Sequence, residues 1–139
     1  VKACPFWFYM DNRKEMSSIY VCNVADDDWR QYYKLKVTES FDSEPAFITL
    51  EHLQGMKVSE IEDSGLLIWC DSFETFSAKF PLLVAWIAQH VAMTIYLEKN
   101  WGKVDEFPEG NADRIELPVA WGEIVGRMTS GLDYHHRQK

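Results

Sequence analysis

The sequence predicts an α+β domain: an antiparallel sheet of four to five strands from the N-terminal half, covered by one long buried helix (about 81–99) and a C-terminal amphipathic helix (about 118–129). Three observations lead there. The first seventy residues hold short β-rich segments separated by polar turns. Phe80 to Leu97 then runs eighteen residues without a formal charge. Last, Leu117, Trp121, Ile124, Val125 and Met128 recur at helical spacing.

Phe6–Met10 is apolar and aromatic, and Ser18–Val24 (SIYVCNV) is rich in β-formers. From Tyr32 to Thr38 the chain alternates, with Tyr33, Leu35 and Val37 opposed to Lys34, Lys36 and Thr38. Period two over seven residues predicts a strand with one wet face. Phe47–Glu51 fits either a strand or the start of a short helix. Leu66–Cys70 (LLIWC) follows Ser64-Gly65 as a short continuous apolar run, which predicts a central strand buried on both faces. Asp71 with Glu74 resembles a capping box, and Phe73, Phe76 and Phe80 continue one helical face until Pro81 interrupts it.

Pro81 to Lys99 reads as a helix apolar all round, hence covered on all sides. At about 1.5 Å per residue the uncharged run spans roughly 27 Å, near bilayer thickness. Gln89, His90 and Thr94 within it, and the missing basic flank, argue for a core element instead of a membrane span. Arg114–Leu117 suggests a short strand, and Pro118 suits the first turn of a helix that Gly131 could stop. The linkers are short, so one domain over 1–139 is expected.

Acidic residues outnumber basic ones 22 to 14, for a net charge of −8. That balance lacks the basic footprint of a nucleic-acid binder. Cys4, Cys22 and Cys70 are odd in number and widely spaced, which supports neither a disulfide framework nor a zinc ribbon and suits a reducing, cytoplasmic setting. Glu51-His52 and His135-His136 carry metal-binding residue types at poor spacing, so neither a metal nor a cofactor is expected, and the terminal pair reads as a frayed tail. Nothing in the sequence forms a convincing catalytic set.

Two groups of site residues stand out. Cys70, at the end of an apolar strand, and Trp86, His90 and Thr94, polar or amphipathic groups on the buried helix, are candidates for lining a ligand pocket. Asp26, Asp27, Asp28 and Trp29, with Glu60, Glu62, Asp63, Trp101 and Phe107, are interface candidates, because aromatics in acidic loops mark protein-binding surfaces. Accordingly, the leading expectation is an acidic binding module that engages a basic protein, as an immunity protein or a mobile-element inhibitor would. The alternative is a pocket protein, binding or enzymatic, with its cavity between sheet and long helix near His90. A third reading is a homo-oligomer that pairs through Phe6–Met10 as a sheet edge.

Overall fold

A computed structural model describes residues 18–101, 107–108 and 111–138. The five strands are β1 (Ile19–Cys22), β2 (Ala46–Ile48), β3 (Gly65–Cys70), β4 (Met93–Glu98) and β5 (Ala112–Glu116). They form one sheet in the order β2-β1-β3-β4-β5, and every pairing is parallel. The antiparallel meander expected from the sequence is therefore replaced by a parallel α/β sheet. Among the described residues six helices cover its two faces: α1 (Asp27–Phe41), α2 (Leu50–Gln54), α3 (Val58–Ile61), α4 (Phe73–Lys79), α5 (Pro81–His90) and α6 (Trp121–Arg137). The segment Phe6–Met10 lies outside the described residues.

Helix α1 takes up the segment read as an alternating strand. Asp26 accepts from the backbone N–H groups of Asp28 (2.9 Å) and Trp29 (3.2 Å), and two more carboxylates in the first turn suit the positive end of the helix. Tyr33 and Val37, at i and i+4, are buried, whereas Leu35 between them is 56% exposed. A seven-residue alternation contains both patterns, and the cap upstream selects the helix. Phe47–Glu51 divides between the two forms proposed for it, with Ala46–Ile48 a strand and Leu50 opening a helix capped by Thr49.

The long helix is also two elements. α5 ends at His90, Val91 is extended (φ −87°, ψ 136°), and β4 begins at Met93. Leu82, Leu83, Ala85 and Ala88 favour a helix in the first half of the run, while Val91, Thr94, Ile95 and Tyr96 favour a strand. α5 is not covered all round, since Leu82 is 85% exposed. β4 carries the burial instead: all six of its residues are buried. Pro81 does separate two helices, as its missing N–H requires, and Leu66–Cys70 is indeed a central strand. β5 matches the short strand expected near Arg114.

Successive strand residues face opposite layers. Ile19, Val21, Leu67, Ile95 and Leu97 pack with Tyr33 and Val37 of α1 and Ile124, Met128 and Leu132 of α6. Leu66, Ile68, Cys70 and Tyr96 pack with α2 to α5 through Leu53, Ile61, Phe73, Phe76 and Ile87. Helix α6 begins at Trp121, after a cis Leu117–Pro118 bond, and runs past Gly131 to Arg137. Gly131 does not stop it, because a side chain there would collide with Met93; the glycine lets α6 lie against the start of β4. No helix among the described residues is long and apolar enough to cross a membrane.

These contacts separate two glycines of one helix. Gly131→Val should destabilise the protein by about 2 kcal/mol through overpacking. Gly126→Ala, with nothing within 4 Å of the added carbon, should stabilise it by about 0.5–1 kcal/mol. Urea midpoints at unchanged slope measure both.

Candidate functional site

In a doubly wound sheet of order 2-1-3-4-5, the strand order reverses between β1 and β3, and the crevice beyond the carboxyl ends of these strands is where such folds bind ligands. The local sequence builds this edge closely. Asn23, just past β1, adopts a left-handed conformation (φ 69°) that asparagine tolerates. Its side-chain amide donates to the carbonyl of Trp69 on β3 at 2.9 Å, tying the two strand ends together. Asp26 then starts α1, whose first turns carry Trp29, Tyr32 and Tyr33 towards Trp69.

Trp69 Nε1 donates to the Tyr33 hydroxyl at 2.8 Å. The Trp29 ring lies 5.3 Å from Trp69 and 6.0 Å from Tyr33 between centroids, and Tyr32 meets Trp29 edge-on at 5.4 Å. These rings line a cleft of about 640 Å³, completed by Leu117, Pro118, Val119 and Ile124, with Asp28 and Lys99 contributing its charged groups. That volume is in the range of small-molecule sites. Burial pushes the Tyr33 phenol up to about 12, although the Trp69 N–H opposes the shift. Tyr33 is thus a neutral, buried hydroxyl at physiological pH that accepts from Trp69.

Beside this cleft, on the opposite face of the sheet, Glu98 at the end of β4 is fully buried. Its carboxylate receives Arg114 Nε and a second Arg114 nitrogen, both at 2.8 Å, and the Phe73 backbone N–H at 2.6 Å. The carboxylate raises the Arg114 pKa, so the guanidinium stays charged. Trp101, half-exposed, lies 4.0 Å from that guanidinium, ring centroid to Cζ. Asn100 locks the neighbouring turn by donating its side-chain amide to the Asp71 carboxylate at 2.6 Å. Through these three bonds Glu98 joins β4, β5 and the start of α4.

The pocket candidates named from sequence are not brought together. Cys70 is paired with Glu98 at the carboxyl edge, whereas Thr94 is level with Leu66, about 13 Å down the strand. The His90 and Trp86 rings meet at a tilt, 5.4 Å between centroids, at the end of α5, which leads into the amino edge of the sheet. Burial and then the Glu98 charge push the Cys70 thiol up to about 12, and burial does the same to Cys22. Neither is an activated nucleophile. The Thr94 hydroxyl is buried without a hydrogen-bond partner among the described residues.

The interface candidates divide as well. Asp26, Asp27, Asp28 and Trp29 follow β1 at the carboxyl edge, and Trp29 is 41% exposed. Glu60, Glu62 and Asp63 precede β3 at the amino edge, roughly 20 Å away along the strand. Glu60 accepts the Lys57 backbone N–H at 2.7 Å, and Asp63 meets His135 at 3.1 Å. Phe107 packs on Phe73 and Tyr96 and belongs to the core. Tyr32, Tyr33, Trp69 and Lys99 were not among the residues singled out from sequence. Trp69 and Lys99 lie at the carboxyl ends of β3 and β4, and Tyr32 and Tyr33 on the first turns of the helix after β1, positions that have meaning only once the sheet is known to be parallel.

No protein-family model and no curated protein matches this chain.

Two measurements test the site's chemistry. Thr94→Val should leave stability unchanged or raise it by about 1 kcal/mol, because it removes an unpartnered buried hydroxyl at nearly constant shape; a clear loss in urea unfolding would reveal a partner. Cys22 and Cys70 rise from 9.0 to about 12 on folding, so above pH 9 the unfolded chain binds fewer protons than the native one. Their contribution is complete below pH 9 and falls by about 1.4 kcal/mol per pH unit for each thiol up to pH 12. Unfolding free energies between pH 8 and 11 should show this decline, and Cys22→Ala should remove one thiol's share of it while the Cys70 share remains.

Proposed function

We propose that this protein is a small-molecule-binding α/β domain whose carboxyl-edge cleft holds a planar, ring-bearing organic ligand of neutral or positive charge. The observation that carries the reading is the convergence of Trp29, Tyr32, Tyr33 and Trp69 on one cleft at the edge where doubly wound sheets bind their ligands. Aromatic walls favour flat rings by stacking. The first turn after β1, Cys22 to Asp26, contains no glycine, and α1 opens with Asp26, Asp27 and Asp28. Those carboxylates occupy the positive helix end and oppose a phosphate there, which disfavours nucleotides bound through their phosphates. Buried, unoxidised Cys22 and Cys70 suit a cytoplasmic setting.

A second reading rests on the lip of the same cleft. Asp26–Asp28 beside half-exposed Trp29 would suit a lysine or arginine side chain of a basic partner protein, held by charge and by cation–π contact.

A panel of nucleosides, pterins, flavins and indoles, followed by tryptophan fluorescence and thermal shift, should return a ring compound that quenches emission. Trp29→Ala should weaken it about tenfold, near 1.4 kcal/mol. If no ring compound binds at about 1 mM, or if Trp29→Ala binds as well as the parent, the pocket reading fails. Salt-sensitive binding of basic peptides, abolished by charge reversal at Asp26–Asp28, would favour the partner reading.

A further inference from the structure

At the opposite, amino edge of the sheet, a second cluster of side chains forms without any role in the cleft. Asp63 lies in the turn between α3 and β3, and His135 and His136 lie in the last turn of α6. One ligand atom from each falls within 4.8 Å of the other two. His135 Nε2 is 3.1 Å from Asp63 Oδ1. Two ligands on a tetrahedral ion, each about 2.1 Å from it, are about 3.4 Å apart, so this pair already has ligand spacing.

Consecutive residues on a helix point about 100° apart. His136 nevertheless lies beside the pair, its ring 5.3 Å from that of His135. All three residues are half-buried, close enough to the surface for an ion to enter and sheltered enough to hold it. Two imidazoles and a carboxylate select zinc and neighbouring transition metals over calcium or magnesium, which prefer all-oxygen sites.

We propose that Asp63, His135 and His136 bind one divalent transition-metal ion of the zinc class, with water completing its coordination. The ion staples the end of α6 to the turn that launches β3, two segments 72 residues apart. Its position at the amino edge makes it a structural site, independent of whatever the cleft binds.

Calorimetric titration of the untagged full chain with zinc chloride tests this. One ion should bind per chain with micromolar affinity, and a hundredfold excess over Kd should raise the thermal midpoint by about 8 °C. His135→Ala and His136→Ala should each weaken binding at least about tenfold. Asp63→Asn, in a surface turn, supplies the same readout should a helix variant fold poorly. The double variant His52→Ala/His90→Ala removes the other two histidines and should bind zinc unchanged. Absence of binding at about 100 µM, binding that survives either His135→Ala or His136→Ala, or binding lost in the double variant would each overturn the site.

Discussion

The architecture depends on the burial of β4 between β3 and β5. Six residues, Met93 to Glu98, are buried in succession, and none of their backbone groups can rely on water. Parallel pairing on both sides satisfies those groups, and helices on both faces cover the side chains. The consequences spread outward from there. Gly131 exists as a gap for Met93, α1 and α6 share one face of the sheet, and α4 and α5 fold back over the other.

The only charged residue in this strand lies at its end. Glu98 is tolerable there because Arg114 on the next strand and the Phe73 amide at the start of α4 occupy its oxygens. Removing the arginine would leave a buried charge uncompensated, which typically costs several kcal/mol. The same group therefore fixes the register of β5 and the origin of α4. It also holds Trp101 over the guanidinium, so an aromatic that is half-exposed has a local structural reason to be where it is.

The two edges of the sheet differ in chemistry. The carboxyl edge is aromatic and bordered by the carboxylates that cap α1, with Asn23 binding the ends of β1 and β3 together. The amino edge is polar, with Asp63 and the paired histidines at the foot of α6. Strand direction decides which residues meet at each edge. In a parallel sheet every turn after a strand gathers at one end, so residues as distant in sequence as Trp29, Trp69 and Leu117 become neighbours.

The sequence by itself determined several local features. LLIWC is a central strand because a short, continuous apolar run bounded by Ser-Gly and Asp has to be buried on both faces. Pro81 divides two helices because it lacks an amide hydrogen, and the Trp121-to-Met128 part of the C-terminal pattern is an amphipathic helix, although Leu117 and Pro118 lie before its start. Other features were decided only by tertiary structure. The uncharged stretch from Phe80 to Leu97 satisfies a buried helix and a buried strand equally, and only the neighbours available to it break the tie. Tyr32 to Thr38 carries both periods at once, and the Asp26 cap together with packing against Leu67 and Ile124 settles it as helix. Once those two segments changed identity, the sheet became parallel, and the residues that share an edge changed with it. Burial can be read from residue types, but side-chain convergence depends on strand direction and order, which are set by contacts between residues remote in the chain.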